Sequence, residues 1–249
     1  MDMRKVVNEA VDVLINVPPD KVDEVLGKIK EGLVGKHKVY TAEELLAMAN
    51  EQVACLRQRL GELVAKGKVT QEQIDAIVTC LESKREAAIA KVANVPIIGT
   101  HLPILAAISK DFLTASVQML MAKYIGNDGT NYLTDDEITD EVELPEGIAW
   151  WLTDVEDGQQ FCTDKTTPED EKTIIEDQGR LRVIATGAIA LDIHTDVLAR
   201  HNVDATGSRF KDAGKVPNLC RGGGEPRLYY SSVDHVSAKW GSASCSSYI

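Results

Sequence analysis

The sequence predicts an α+β fold in two parts: a helical region over residues 1–94, dominated by a long antiparallel hairpin at 41–92, and a compact α+β domain with a small antiparallel sheet over 95–249. Three observations predict it. Apolar residues recur at spacings of three and four through 45–92, which is one face of a helix. Capping boxes stand at the start of each half of that stretch. Beyond residue 95 the apolar runs shorten and are separated by Gly, Pro, Asn and Asp, as strands and short helices require. A chain of 249 residues with 44% hydrophobic content buries a core sufficient for one large domain or two small ones.

The elements follow in order. Residues 3–15 carry a helical stripe (Val6, Val7, Ala10, Val11, Leu14, Ile15) that Pro18 and Pro19 end. Asp20 can cap a second, short helix running to Ile29, with Gly32 and Gly35 beyond it. Thr41-Ala42-Glu43-Glu44 is a capping box with Tyr40 and Leu45 at the staple positions. Leu46, Ala49, Val53, Leu56, Leu60 and Leu63 then make a heptad seam up to Gly67. Thr70-Gln71-Glu72-Gln73 repeats the box, with Val69 and Ile74 as staple, and the apolar face continues through Ile77, Leu81, Ala88 and Val92, interrupted by Lys84. Two helices joined by so short a turn run antiparallel and bring Cys55 level with Cys80, as reduced thiols or as a linked pair.

In the second part, residues 95–98 read as a buried strand, and Ser109 as the cap of a helix carrying Phe112, Leu113, Val117, Leu120, Met121 and Tyr124 on one face. Thr134-Asp135-Asp136-Glu137 opens a short acidic helix. Residues 148–153 read as a strand with Trp150 and Trp151 on opposite faces. Pro168 begins a helix with Glu169, Asp170 and Glu171 at its positive end. Residues 186–200 are helical with a break near Thr195. Residues 216–243 read as two or three strands around Gly222-Gly223-Gly224-Glu225-Pro226.

The net charge of −12 is concentrated. Residues 127–177 hold 17 acidic groups against two lysines, whereas residues 178–249 are net +3. An acidic chain is a poor partner for a phosphate backbone, so nucleic acid is not expected. The acidic segment is either a solvated or docking surface, or the internal partner of Arg209 and Arg227. Five cysteines do not make a disulfide scaffold, there is no leader-like apolar run at the start, and the stretch at 92–108 is broken by Pro96, Gly99, His101 and Pro103. These features predict a cytoplasmic protein that spans no membrane.

Several strings resemble an uncharacterised bacterial family, a domain of unknown function. They are Gln118-Met119-Leu120-Met121, Tyr132-Leu133, Pro145-Glu146-Gly147 leading to Asp154-Val155-Glu156-Asp157-Gly158, His194-Thr195-Asp196-Val197-Leu198 through Arg200-His201-Asn202, Gly207-Ser208-Arg209, and Trp240-Gly241-Ser242-Ala243-Ser244-Cys245. The resemblance covers roughly residues 95–245, leaves the hairpin outside its strongest part, and implies no activity. The family pattern has an acidic residue where this chain has Thr186 before Gly187. The string across 63–74 also resembles a short helix-turn-helix oligomerisation motif of bacterial proteins, which implies self-association.

Chemistry has few places to sit. His194 and His201, seven apart with Asp192 and Asp196 beside the first, share a face of a continuous helix, but ~10 Å separates them, too far for one metal ion. Ser208 lacks the glycines of a nucleophile elbow. Cys245 could act as a nucleophile with His235 or His201 as base. A hydrolase pocket would therefore draw on His194, His201, Ser208, Arg209 and Cys245. Arg209, Arg227 and Trp240 are the candidates for ligand contact. Asp154, Glu156 and Asp157 around Gly158 could wrap a divalent cation. Since no catalytic motif is complete, the leading expectation is a non-catalytic interaction or assembly protein. It would self-associate or dock through the hairpin, present the acidic surface, and need no cofactor. The alternatives are a hydrolase and a divalent-metal-binding protein.

Overall fold

The computed structural model describes residues 37–98, 102–145, 147, 149–152, 166–199, 201–212, 214–236 and 240–249. The helices expected at 3–15 and 20–29, and the carboxylate turn of Asp154, Glu156 and Asp157, lie outside the described residues. Among those described, the order is β1 (His37–Val39), α1 (Ala42–Ala65), α2 (Gln71–Val92), β2 (Pro96–Ile98), β3 (Ile104–Ala106), α3 (Ala115–Met119), β4 (Lys123–Tyr124), β5 (Asn127–Asp128), β6 (Thr130–Asn131) and β7 (Ile138–Asp140). Then come β8 (Trp150–Leu152), α4 (Pro168–Asp177), β9 (Leu181–Arg182), α5 (Ala185–His194), β10 (Asn202–Asp204), β11 (Ser208–Phe210), β12 (Lys215–Gly222), β13 (Glu225–Ser232), β14 (Trp240–Ser242), β15 (Ser244–Cys245) and β16 (Ser247–Tyr248). The fold is α+β, and among the described residues no helix is long and apolar enough to cross a membrane.

The hairpin forms where its caps place it. The Glu44 amide donates to Thr41 Oγ1 (3.2 Å) and the Thr41 amide to Glu44 Oε2 (2.8 Å). Thr70 and Gln73 repeat this at 3.2 and 2.9 Å. Each cap contributes about 1 kcal/mol. The buried seam of α1 is Leu45, Ala49, Gln52, Val53, Leu56, Leu60 and Leu63. It begins at Leu45, not at Leu46, which is largely exposed. The staple contact between Tyr40 and Leu45, both fully buried, rotates the first turn that way. Cys55 and Cys80 are half-buried thiols.

The seam packs against β3 and β8 of the following region, in one continuous hydrophobic core. Polar side chains on the hairpin complete strand backbone beneath it. Gln52 gives its Nε2–H to the Ile104 carbonyl (3.0 Å) and accepts the Ala106 amide (2.8 Å), standing in for a neighbouring strand. Trp150 Nε1–H donates to the Leu81 carbonyl (2.8 Å), so its ring is buried with no unmet donor. Lys84, the interruption in the seam, reaches the Gly147 carbonyl (2.7 Å).

The α+β part centres on a five-stranded sheet of order β14-β10-β12-β13-β6. Its long β12–β13 hairpin turns at Gly223 and Gly224, both with positive φ (62° and 87°). Two successive positive φ values are the demand of a two-residue hairpin turn, and glycine meets it without strain. One face carries Val203, Leu219 and Leu228 into the core, against α5.

Three expected elements differ. The helix expected from Ser109 is only α3, capped at Thr114. Ser109 instead turns the chain, its Oγ bonding the Asp111 carboxylate (2.9 Å) and accepting the Asp111 amide (3.2 Å). The acidic helix at Asp135–Glu137 is a single 3-10 turn running straight into β7. The helix carrying His194 ends there. Thr195 Oγ1 bonds back to the Leu191 carbonyl (2.6 Å) and accepts the Val197 amide (3.1 Å), so the next turn is a separate 3-10 segment, Val197–Ala199. His194 and His201 therefore do not share a helical face.

Candidate functional site

β7 and β11 pair antiparallel, which sets Ser208 opposite Asp140 and Arg209 opposite Thr139. The Ser208 hydroxyl donates to Asp140 Oδ1 (2.6 Å) and accepts the Ala185 amide (2.8 Å). Lys110 closes the chain with an ion pair to Asp140 Oδ2 (2.8 Å). Ser208 thus caps the start of α5, a task its N-cap residue Ile184 cannot perform with its own side chain. Gly207 is needed beside it. A Cβ there would stand 2.7 Å from the carbonyl oxygens of both Arg182 and Val183. Close backbone approach, not a nucleophile elbow, explains the glycine in Gly207-Ser208-Arg209.

The start of α5 opens into a cleft of two adjoining cavities, about 280 and 150 Å³, that share Lys110, Asp140 and Thr186. Asp111 and Asp135 stand at its sides. Thr186 is 94% buried and lines both cavities. The amides of Thr186 and Gly187 are first-turn groups, which a helix leaves without intrahelical partners. The cleft therefore presents a helix N-terminus, an ammonium and a hydroxyl beside carboxylates.

Arg209 lies outside the cleft, in an ion-pair network. Its Nε meets Glu141 (2.9 Å) and its guanidinium reaches Glu169 (3.7 Å). Glu141 also receives Arg182 (3.2 Å) and Lys172 (3.4 Å). Burial by itself would raise the Glu141 pKa, but the bonds from Arg209 and Arg182 outweigh it and hold the group at about 2. Part of the acidic segment is thus neutralised within the chain. Arg227 is different: it pairs with Glu225 (3.2 Å), outside the segment, and lies over the Tyr132 ring.

The other expected residues are dispersed. Burial, and then the nearby Arg59, lower the His194 pKa to about 3; the ring bonds to the Ala106 backbone and its Nε2 is buried without a partner. His201 follows the 3-10 turn and gives its amide to Val197 (2.9 Å). Cys245 is fully buried on β15, paired with Leu181. Trp240, on the edge strand β14, meets His235 edge-on at 5.2 Å. Two strands separate it from Arg227 on β13, so ~14 Å lies between them. Among these residues the structure brings together Ser208 and Arg209 only as sequence neighbours whose side chains serve different partners. Lys110, Asp140 and Thr186 were not expected as site residues; they come from three separate segments. Among the described residues no group of three or more His, Cys, Asp or Glu is arranged to hold a metal ion.

Compared with family models, with curated proteins and with solved structures, the chain matches none.

Proposed function

We propose that this chain is a non-catalytic binding protein whose cleft at the start of α5 takes a small polar ligand with a carboxylate or phosphate head. The observation that carries the reading is Thr186, a largely buried hydroxyl residue in the first turn of a ten-residue helix, which lines both cavities together with Lys110. A helix N-terminus favours an anionic group. Asp111 and Asp135 suit a ligand whose other end is cationic or rich in donors. Ser208 supports binding rather than hydrolysis: its hydroxyl proton is held by a carboxylate, and its oxygen caps a helix.

Inorganic phosphate, glycine and glutamate serve as probes in a two-dimensional NMR titration of the full chain. The expected result is saturable shifts at Thr186, Gly187 and Lys110 with at least one probe, weakened about tenfold or more in Thr186→Val. If none of the three moves these resonances at millimolar concentration, the cleft is not the site.

Assembly through the hairpin is the second part of the proposal. It is supported by a groove of about 460 Å³ between α1 and α2, floored by Val53 and Ala54 and rimmed by Arg57, Gln58, Glu82 and Arg85. A basic-leaning rim suits an acidic partner, including the acidic segment of a second copy. Light scattering on the full chain and on Arg57→Glu/Arg85→Glu tests this. An oligomer that the variant dissociates supports it, and a monomer in both removes self-association. A cytoplasmic setting, where thiols stay reduced, fits Cys55, Cys80 and Cys220.

A further inference from the structure

We propose that the face of the five-stranded sheet turned away from the hydrophobic core holds a hard divalent cation, calcium in the first instance, between Asp204 and Glu171, with Asn218 and Ser242 as neutral oxygen donors.

The placement follows from sheet geometry. Residues in register on neighbouring strands point to the same face, and alternate residues along a strand point to opposite faces. Asp204 is in register with Ser242 on one side and Asn218 on the other. Val203 and Leu219, the neighbours that face the core, are fully buried in it. Ser242, Asp204 and Asn218 therefore form a row across three strands on the opposite face, with Asp204 in the centre. Ser231, in register with Val216, falls on that face too, and its hydroxyl donates to Asp204 Oδ1 (2.8 Å). Glu171 enters from α4 over the Ser242 end, its Oε2 accepting the Ser242 amide (2.7 Å) and its Oε1 the Thr166 hydroxyl (3.0 Å).

A polar face is ordinary when water covers it. This one is closed off: Asp204, Glu171, Asn218 and Ser242 are each exposed by 2% or less. Among the described residues neither carboxylate has an ion-pair partner, and each feels the burial of its charge first; Asp204 also feels Glu171. Buried carboxylates are normally matched by a cation. The second observation is the neutral oxygens. Among the described residues Asn218 Oδ1 and Nδ2 and Ser242 Oγ are buried without a hydrogen-bond partner, as is Thr206 Oγ1, two residues on from Asp204. Such groups in a native fold call for an ion or water. Two carboxylates, an amide oxygen and hydroxyls, with water in the remaining positions, are a hard-cation donor set, and their charge of two balances a divalent ion. Cys220, two residues on from Asn218 on the same face, lies close enough to feel the Asp204 charge, but the side chains of the row itself donate oxygen, which suits a hard cation better than zinc.

The test uses the full chain, stripped with a chelator and dialysed at pH 7.5. Calcium chloride in about 100-fold excess over the dissociation constant is expected to raise the melting temperature by several degrees. Calorimetric titration is expected to give one site per chain. Asp204→Asn is expected to melt higher than the stripped wild type, because the buried charge is gone, and to lose the calcium response; its own cooperative melt shows that it folds. Glu171→Gln is expected to weaken calcium binding about tenfold or more. Asp154→Asn/Glu156→Gln/Asp157→Asn and Thr186→Val are expected to keep the full response. The proposal is overturned if calcium leaves the wild-type melt unchanged, if Asp204→Asn responds as the wild type does, or if only the triple variant loses the response.

Discussion

Glu141 and Asp204 sit in the same α+β region, and their surroundings drive them in opposite directions. Glu141 is 30% exposed and takes three cations, from β9, α4 and β11. Its pKa falls to about 2. Asp204 is closed off, meets one serine hydroxyl, and is pushed up to about 7 by burial. The difference teaches what each face does. The Glu141 face spends the acidic segment on holding β7, α4 and β11 together. The Asp204 face has no cationic side chain paired with its charge among the described residues.

The largest effect that would break this comparison comes from neutralising Asp204. A carboxyl whose folded pKa lies above its unfolded value of 3.8 loses stability as pH rises. Between about pH 4 and pH 7 the unfolded chain releases a proton that the fold keeps, and above pH 7 the loss is complete. In chelator, Asp204→Asn is therefore expected to be more stable than wild type at pH 8 by about 2–4 kcal/mol, and equal to it near pH 4. Urea unfolding at both pH values measures this. Equal stability at pH 8 would mean that Asp204 is as comfortable as Glu141.

Glu141→Gln comes next and has the opposite sign. Its stabilisation is present above about pH 4.5 and is lost as pH falls toward 2. Arg182, only 7% exposed, would keep Glu176 (3.0 Å) and the Thr206 carbonyl but lose its second charge partner, just beyond the end of β7. Leaving that guanidinium under-paired is expected to cost about 1–3 kcal/mol at pH 7, and little at pH 3. His194 adds to the acid side of the wild type. Its folded pKa of about 3 lies below the usual 6.5, so stability drains away between those values as pH falls. Asp204 acts in the opposite direction over the same range, so the measurement is made in the Asp204→Asn variant, where unfolding no more readily at pH 4 than at pH 6.5 would refute the burial of the neutral ring.

The two faces were unequally legible in sequence. Local signals carried well: the boxes at Thr41 and Thr70, Pro168 opening α4, and the glycine turn of the β12–β13 hairpin all depend on residues within a few positions of one another. The helix expected from Ser109 failed because Asp111 offered the serine a nearer partner than a helix would. The cleft was hidden because Lys110, Asp140, Thr186 and Ser208 meet only through β7–β11 pairing, and non-local pairing of strands three residues long leaves no periodicity to read. The Asp204 face did leave a trace. Val203, Asp204, Ala205 and Thr206 alternate apolar and polar, as a strand with two different faces does, but the pattern is too short to show that the polar side would be buried.

The smallest expected effect separates the network on Glu141 from a surface pair that resembles it in sequence. Lys211 meets Glu137 at 2.5 Å, as Arg209 meets Glu141 at 2.9 Å, and both join the basic last third to the acidic segment. Lys211 is 65% exposed in its side chain, however, and Arg209 25%. An exposed pair is screened by salt and holds two mobile side chains in place at an entropic cost. Lys211→Ala is therefore expected to leave the melting temperature unchanged at 0.5 M sodium chloride. Arg209→Ala is expected to lower it by an amount corresponding to less than about 1 kcal/mol, because Lys172 and Arg182 still serve Glu141. If Lys211→Ala proves the more damaging of the two, then the acidic segment is held by its 3-10 turn at Asp135–Glu137 rather than by the Glu141 hub.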